Sequence, residues 1–327
     1  MSRPVCHNNL WLTYVWCAPY GALGHTAGDA DLVVQPRREA QGSPSRGSAG
    51  SWLRQARRLK AGRSPLRSRR RTTSRIRNAV KGVILAGGTG SRLHPLTLIT
   101  NKHLLPLYDR PMISYAIEAM VKAGVSEMML VTGGTHAGEF LRLLGNGHEF
   151  GIDRLFYAYQ EKPGGIAEAL SLAERFVDGD RVMVMLGDNI FEWCLKDCVD
   201  AFAKQSHGAR VVLTHEADRE HLRHLGVAHL NGARRIEHIV EKPDEPPSEF
   251  AVTGVYFYDE TVWRVLGELK PSGRGELEIT DVNNWYLDND LIEYDIVEGF
   301  WGDAGESMQA YYQVQDFVRV NGVNRER

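Results

Sequence analysis

The chain has 327 residues, of which 43% are hydrophobic and 24% are charged, proportions that are ordinary for a globular protein with a buried core and that predict one or two domains. The formal net charge of −2 conceals an uneven distribution, because residues 1–80 carry 15 Lys and Arg against 3 Asp and Glu. Residues 81–327 are therefore acidic overall, which excludes that part of the chain as a site of electrostatic nucleic-acid binding.

The basic leader, residues 1–80, is predicted to be disordered. Its Arg-rich run at 37–77 combines scattered apolar residues with much Ser and Gly, a composition that buries too little apolar surface to fold. An organellar transit peptide and a nucleic-acid-binding arm both suit this composition. A simpler hypothesis is upstream sequence translated from a mis-assigned start, with Val80 at the true beginning.

Cysteine usage and hydropathy predict a cytoplasmic protein. The four cysteines form no paired C-x-x-C motifs and have no nearby His ligand set, so neither a structural zinc site nor a disulfide framework is indicated. No stretch has the length and apolarity of a transmembrane helix. We therefore expect no association with a membrane.

From Lys81 onward, apolar runs alternate with helical periodicity, which is typical of an α/β fold with a mixed, mostly parallel sheet flanked by helices. A helix is predicted between Pro111, which suits a first helical position, and Gly124, which suits a stop. The run after Arg181 is apolar at every position, which predicts a central strand covered on both faces. Strands are predicted at 82–86, 127–131, 154–159 and 181–186, and a second helix at 166–177.

Beyond Asp200 the pattern is richer in β-strands. Asn231-Gly232 lies between two alternating runs, which is a strong hairpin signal. Residues 81–327 are thus predicted to form one domain whose second half elaborates a substrate-binding region. Strands are predicted at 209–216, 224–230, 234–243, 250–259 and 291–297, and helices near 260–270, at 279–288 and after Gly305.

The glycine loop that follows the first predicted strand, "VILAGGTGSRLHPLT" at 83–97, has the composition of an anion site. Gly87, Gly88 and Gly90 let backbone N–H groups converge on an anion without interference from Cβ atoms. Arg92 adds a planar guanidinium that suits phosphate oxygens. A loop that only turns the chain is the alternative interpretation.

The loop matches neither of two familiar phosphate-binding motifs. The dinucleotide fingerprint would need glycine where Leu93 stands, and no Gly-Lys-Ser/Thr closes a Walker A loop. Lys102 follows Arg92 by ten residues. Two cations near one anion site favour a triphosphate over a single phosphate.

Two aspartates are candidates for a metal site. Asp188 follows the central predicted strand, and Asp303 follows "GFWG" at 299–302. Ligands of open α/β sheets bind beyond the carboxyl ends of the strands, where two carboxylates can hold Mg²⁺. Each aspartate could instead cap a helix, and because the two are 115 positions apart the sequence does not show that they meet.

Seven motifs between Lys81 and the end of the chain resemble, in the same order, those of the glucose-1-phosphate thymidylyltransferases, a sugar-phosphate nucleotidyltransferase family. The resemblance implies a Rossmann-like nucleotidyltransferase fold. It also implies magnesium-assisted in-line attack of glucose 1-phosphate on the α-phosphorus of dTTP, giving dTDP-glucose and pyrophosphate. The motifs are "LAGGTGSRLHPLT", "NKHLLPLYDRPMI", "LGDNIF", "EKP", "AVTGVYFYD", "GRGELEITDVN" and "WGDAG".

The resemblance further implies roles for individual residues, with Gln160 and Gly165 reading the thymine edge. Arg92, Lys102 and Asp188 would be catalytic, and Asp188 and Asp303 would bind magnesium. The nucleotide would be bound by Leu85, Gly87, Gly88, Gly90, Ser91, Gln160, Gly165 and Asp188. The sugar phosphate would be bound by Asn189, Gly226, Glu241, Lys242, Val252, Tyr256, Arg274 and Glu276. The run "QEKPGG" at 160–165 departs from the "QPSPDG"-like run of many relatives, which leaves base selectivity open.

Several alternatives to this interpretation of the activity stay open. A related enzyme could use UTP or another hexose 1-phosphate. A non-catalytic sugar-nucleotide sensor would be expected to lose the metal carboxylates or Arg92 first, and all of them are present. The chain resembles the short form of the family, without the C-terminal extension that in longer relatives helps to form a regulatory inter-subunit site. We expect a homo-oligomer of undetermined size.

Overall fold

The structure is a computed structural model and describes residues 80–327. The predictions made for residues 1–79 lie outside the described residues, and the domain boundary at residue 81 stays a prediction. No helix within the described residues combines the length and the apolarity that crossing a membrane would require.

The described residues alternate strands and helices as the sequence predicts. The strands are β1 Val80–Ala86, β2 Pro106–Leu107, β3 Arg110–Pro111, β4 Glu127–Gly133, β5 Arg154–Gln160, β6 Arg181–Leu186, β7 Asn189–Phe191, β8 Ala209–His215, β9 Gly226–Leu230, β10 Ile236–Glu241, β11 Phe250–Tyr258, β12 Ile292–Val297 and β13 Trp301–Asp303. The helices of four or more residues are α1 Ile113–Lys122, α2 Ala137–Leu144, α3 Ile166–Ser171, α4 Glu174–Val177, α5 Lys196–Lys204, α6 Arg219–Leu222, α7 Val262–Glu268, α8 Ile279–Asp288 and α9 Met308–Asn321.

A nine-stranded mixed sheet forms the centre of the fold. Its main order is β10-β9-β11-β6-β1-β4-β5, with β8 paired to β11 and β12 paired to β8. The pairs among β5, β4, β1 and β6 are parallel, whereas β11 runs antiparallel to β6, β8 and β9. The prediction of an α/β fold with a mixed sheet is confirmed, and the change of pattern after Asp200 marks the antiparallel half.

Both faces of the sheet are covered by apolar side chains. Along β1, Val83 and Leu85 belong to one buried cluster, while Ile84 and Ala86 belong to the cluster on the opposite face. Successive side chains of a strand point to opposite faces, so an uninterrupted apolar strand must have packing partners on both sides. The central position predicted for residues 181–186 is confirmed, since β6 lies between β1 and β11.

Two sequence predictions about helices were wrong in detail. Pro111 does not open a helix, because residues 110–111 pair with residues 106–107 in a short antiparallel ladder and α1 begins at Ile113. The helix predicted over 166–177 is interrupted between Ser171 and Glu174, where the Ser171 hydroxyl donates to the Glu168 carbonyl. Side-chain hydrogen bonds of this kind compete with the helical ladder.

The hairpin predicted at Asn231-Gly232 is confirmed, but its turn is longer than two residues. Strand β9 ends at Leu230 and β10 begins at Ile236. The Asn231 side chain accepts hydrogen bonds from the N–H groups of Ala233 and Arg235. An asparagine that caps its own turn in this way explains why the chain reverses here.

Candidate active site

A cleft of about 470 Å³ opens at the carboxyl ends of β1 and β6. Its walls also include the hairpin β9–β10, the start of α8 and the segment around Asp303. The predicted site residues that line it are Leu85, Gly87, Gly88, Gly90, Ser91, Arg92, Lys102, Gln160, Gly165, Asp188, Asn189, Gly226, Glu241, Lys242, Val252, Tyr256, Glu276 and Asp303. Arg274 does not line the cleft directly, but its guanidinium lies 3.5 Å from Glu241 and donates to Glu278 at 2.8 Å, and both of these residues do.

The glycine loop has the backbone conformation that only glycine adopts without strain. Gly88 and Gly90 have φ angles of 92° and 64°, in the left-handed region. At Gly87 a Cβ atom would lie 2.9 Å from the amide oxygen of Gln160. The Thr97 hydroxyl closes the loop by donating to the Gly90 carbonyl at 2.7 Å. The loop therefore lines the cleft with glycine backbone that carries no side chains.

Arg92 is exposed in the short turn that follows the loop. Its guanidinium forms no ion pair with any carboxylate of the described residues. A guanidinium that projects beside a cleft without an internal partner is available to an anionic ligand.

Asp188 and Asp303 meet through the ladder between β7 and β13. Asp303 is the cross-strand partner of Asn189, the residue directly after Asp188. The Ala304 N–H also donates to the Asp188 carbonyl at 3.0 Å. Two aspartates separated by 115 residues in the sequence therefore lie at the same end of the cleft.

Lys102 neutralises one of these two carboxylates. Its ammonium lies 2.5 Å from Asp188 Oδ2, and both side chains are largely buried. Burial alone would lower the pKa of Lys102, but the charges of Asp188 and Asp303 outweigh it and raise that pKa. Burial likewise favours neutral Asp188, yet Lys102 lowers the pKa of this carboxyl well below its usual range. The pair is therefore charged at neutral pH.

Asp303 is only partly compensated, because the Lys102 charge and the Gly305 N–H, which donates to Asp303 Oδ1 at 2.8 Å, lower its pKa but are outweighed. Burial, together with the neighbouring charge of Asp188, raises the pKa of Asp303 to about 7. Two adjacent carboxylates, one buried and one half-buried, disfavour each other's ionisation. A divalent cation relieves this repulsion, and hard carboxylate oxygens are the donors that such cations prefer. The two aspartates thus fit a divalent metal by their chemistry.

Comparison with known proteins identifies the family of this chain. The family model described as nucleotidyl transferase matches residues 81–321. The chain belongs to the nucleotidyl transferase family. A glucose-1-phosphate thymidylyltransferase of Neisseria meningitidis is 40% identical over 244 residues, which span 74% of this chain and 83% of that protein. One of Actinoplanes is 41% identical over 244 residues, spanning 74% of this chain and 78% of its own length.

Two solved structures are also similar to this chain. A Bacillus anthracis protein assigned as a glucose-1-phosphate thymidylyltransferase, crystallised with a sucrose, has a TM-score of 0.70 and 44% identity, covering 76% of this chain and all of that one. A UDP-glucose pyrophosphorylase complexed with UDP-glucose has a TM-score of 0.64 and 25% identity, covering 74% of this chain and 98% of that one. As a member of this family, the protein is an enzyme, a nucleotidyltransferase.

In this nucleotidyl transferase Gln160 lies beneath the glycine loop. Its amide nitrogen donates to the Gly165 carbonyl at 3.3 Å and to a carboxylate oxygen of Glu168. Gly165 has a φ of 99°, and a Cβ atom there would lie 2.4 Å from the Leu277 carbonyl oxygen. Gln160 and Gly165, which are predicted to contact the thymine edge, are thus held close to each other, and Gly165 packs against the segment just before α8.

Asn189, which is predicted to contact the sugar phosphate, also links neighbouring strands through its side chain. The residue is fully buried, and its amide oxygen accepts hydrogen bonds from the Gly254 N–H and the Trp301 indole, each at 2.8 Å. Strand β11 has a register shift between Val252 and Tyr256 at this point. The irregularity admits the Asn189 side chain, which ties β7 to β11 and β13.

The sugar end of the predicted site lies on the hairpin and the start of α8. Gly226 pairs with Glu241 across β9 and β10. One Glu241 carboxylate oxygen accepts from the Thr280 hydroxyl at 2.7 Å, while the other lies 3.7 Å from the Lys242 ammonium. Val252 and Tyr256, both buried on β11, complete this wall with Glu276. The arrangement presents carboxylate acceptors beside ammonium and guanidinium groups.

Sequence reasoning missed His103 and Trp301. His103 is buried, with its Nε2 4.0 Å from Asp188 Oδ2, and burial together with Lys102 lowers its pKa to about 3. It is therefore a neutral imidazole beside Asp188, and its Nδ1 atom lies 2.8 Å from the Asn101 amide oxygen. Trp301 lines the cleft and orients Asn189. Both residues belong to the seven family motifs. His103 follows Lys102 and Trp301 precedes Asp303 by two residues, but the spacing of the motifs gave no signal for either.

Proposed function

We propose that the enzyme transfers a thymidylyl group from dTTP to glucose 1-phosphate, giving dTDP-glucose and pyrophosphate. The observation that carries the proposal is the distribution of charge within one cleft. The cations Arg92 and Lys102 and the two aspartates lie with the glycine loop, while Glu241, Lys242 and Glu276 lie with the hairpin. The names of the relatives at about 40% identity support the same substrates.

The nucleotide is assigned to the end of the cleft with the glycine loop. The N–H groups of Gly87, Gly88 and Gly90 would bind phosphate oxygens, with Leu85 and Ser91 flanking them. Backbone N–H groups that converge without Cβ atoms form anion sites of this kind. Gln160 and Gly165 would contact the thymine edge.

Asp188 and Asp303 are the residues that would hold Mg²⁺. When bound there, Mg²⁺ would neutralise charge on the phosphate oxygens and orient them. Lys102 would keep Asp188 ionised in the absence of the metal, because the ammonium is already in contact with it. Arg92 would then reach the phosphates from the open side of the cleft.

The glucose 1-phosphate is assigned to the other end of the cleft. Glu241 and Glu276 would accept hydrogen bonds from sugar hydroxyl groups, since ionised carboxylates only accept. Lys242 and Arg274 would bind the phosphate of the sugar. Gly226 has no side chain to occupy the space beside Glu241. A Cβ atom at this position would lie 3.6 Å from the Glu241 carboxylate.

The reaction requires positioning and charge stabilisation more than proton transfer. A phosphate oxygen of the sugar phosphate forms a bond to the α-phosphorus of dTTP as the bond to the bridging oxygen of the β-phosphate breaks. The electron pair of that bond leaves with pyrophosphate, so no general base is needed at the attacking oxygen. Arg92 and Lys102 would stabilise the charge that develops in the transition state.

The test is pyrophosphate release with a matrix of nucleoside triphosphates and sugar 1-phosphates. We expect the highest kcat/KM with dTTP and glucose 1-phosphate. A preference for UTP would favour the alternative that the UDP-glucose pyrophosphorylase structure suggests. Tight binding of sugar nucleotide with no release for any pair would favour the sensor hypothesis and overturn the proposal.

We also propose the partners, the location and the oligomeric state of the enzyme. The partners would be a nucleoside triphosphate and a sugar 1-phosphate, met in the cytoplasm, with neither membrane nor nucleic acid required by residues 81–327. A homo-oligomer is proposed on the resemblance to the family. Light scattering of the purified protein tests that expectation.

A further inference from the structure

A second group of potential metal ligands lies on the hairpin β9–β10, outside the residues that line the cleft. The ligand atoms of His229, Glu237 and His238 all lie within 4.8 Å of one another. His229 is the cross-strand partner of His238, three residues along the ladder from the Gly226–Glu241 pair in the cleft. At about 3.3 Å per residue, the group lies roughly 10 Å from that pair.

A β-bulge explains why three side chains converge here. In a regular strand Glu237 and His238 would point to opposite faces of the sheet. The register of β10 shifts between Ile236 and His238, so that Ile236 and Ile239 are both buried while the two residues between them are exposed. Bulges re-aim side chains in this way. Glu237 and His238 therefore both approach His229 on the outer face.

The hydrogen bonding of His229 is incomplete. Its Nδ1 atom is covered from solvent but has no hydrogen-bond partner among the described residues. It lies 3.2 Å from Glu237 Oε2, and the rings of His229 and His238 have centroids 4.9 Å apart. Ligand atoms about 2.1 Å from a tetrahedral zinc ion lie about 3.4 Å from one another. The His229–Glu237 contact thus has the spacing of two ligands on one ion.

We propose that His229, Glu237 and His238 bind one zinc ion, with water at the fourth position. Two imidazoles and a carboxylate form a ligand set that suits zinc better than a hard cation such as magnesium. The ion would join edge strand β10 to β9. On the inner side β10 is already held by Asn284, whose amide bonds both the N–H and the carbonyl of Ile239.

The experiment is calorimetric titration of the metal-stripped full chain with ZnCl₂ in excess Mg²⁺, near neutral pH. We expect binding of one equivalent that a chelator reverses, together with a rise of Tm. His238→Ala and His229→Ala should each weaken zinc binding by at least about tenfold, since even outer-shell changes at metal sites cost that much. His238 is exposed, so its substitution leaves the core intact.

The matched control is His215→Ala. His215 also contacts a glutamate, Glu249, at 2.7 Å, but it belongs to no group of three potential metal ligands among the described residues. This variant should bind zinc like the wild type. Zinc binding that persists in both hairpin variants, or that disappears instead in Asp188→Asn, would overturn the proposal, as would the absence of stoichiometric binding. None of these outcomes measures nucleotidyl transfer, and the three hairpin residues do not line the cleft.

Discussion

Asn189 and Asp303 are cross-strand partners in the short ladder between β7 and β13. This single pairing brings Asp303, the last residue of β13, beside Asp188, which lies in the turn between β6 and β7 at a distant point of the sequence. Trp301 reinforces the pairing, because its indole donates to the same Asn189 oxygen that anchors β11. The candidate metal site therefore depends on a ladder of only three residue pairs.

The two aspartates should differ in their effect on stability. Asp188→Asn should lower the free energy of unfolding by roughly 3 kcal/mol, because it leaves the Lys102 ammonium largely buried without its partner. Asp303→Asn should raise the stability of the metal-free protein at about pH 8, since it removes a carboxylate whose pKa is raised to about 7. Denaturant unfolding at two pH values measures both effects.

The direction in which stability changes with pH at Asp303 follows from its raised pKa. A carboxyl with a raised folded-state pKa favours folding at pH values below its unfolded-state pKa, and this contribution is lost as the pH rises through about 7. Both variants should lose most activity and most stabilisation by Mg²⁺. Asp316→Asn, at an exposed ion pair, is the control. Equal destabilisation by Asp188→Asn and Asp303→Asn would contradict this account.

Arg92→Ala should reduce kcat by roughly 10²- to 10³-fold, the usual effect of removing a group that stabilises transition-state charge. Because Arg92 is exposed and has no ion pair among the described residues, Tm should change little. Pyrophosphate release with saturating substrates measures the rate. Arg142→Ala, at another exposed arginine on α2, should retain full activity. A fully active Arg92→Ala enzyme would remove this residue from the mechanism.

Gly305→Ala should disrupt the Lys102–Asp188 pair. A Cβ atom at this position would lie 2.3 Å from Asp188 Oδ2 and 2.7 Å from Lys102 Nζ. We expect a large loss of activity and weaker Mg²⁺ binding, measured by titration of the rate with the metal. Gly267→Ala is the matched control, because it lies in α7 with open space around it and alanine favours helices. Normal Mg²⁺ dependence in Gly305→Ala would show that the site tolerates displacement of this pair.

His221 should make stability dependent on pH. Its ring nitrogens lie 2.7 Å from Glu306 and 2.7 Å from Glu216, and these hydrogen bonds, that of Glu306 first, raise its pKa to about 9. A histidine with a raised folded-state pKa contributes fully below its unfolded value, and the contribution is lost as the pH rises through about 9. His221→Gln should therefore destabilise by about 1–2 kcal/mol near pH 6 and by little near pH 10.

Urea unfolding of wild type and His221→Gln across this pH range measures the difference. His215→Gln is the control, because its contact with Glu249 is exposed and exposed ion pairs contribute little. A pH-independent difference between His221→Gln and wild type would mean that packing of the ring against Trp301, not charge, accounts for the effect.

The sequence by itself determined the local structure and the chemical groups. Apolar runs located β1, β4 and β6 because strands that are buried on both faces are largely apolar. Strand β5, which is half-exposed at the end of the sheet, was located by its own apolar and aromatic run. Glycines located the glycine loop, since left-handed φ angles at Gly88 and Gly90 disfavour other residues. Strands β7 and β13 were not predicted, because three residues are too few to show a period.

Only the tertiary structure decided which groups meet. The contact between Asp188 and Asp303 depends on the pairing of β7 with β13, and neither strand carries a local signal of its partner. The same holds for His229 with Glu237 and His238, which converge because a bulge shifts the register of β10. Such contacts depend on how separate strands pair and pack over long stretches of chain, which local propensity does not encode.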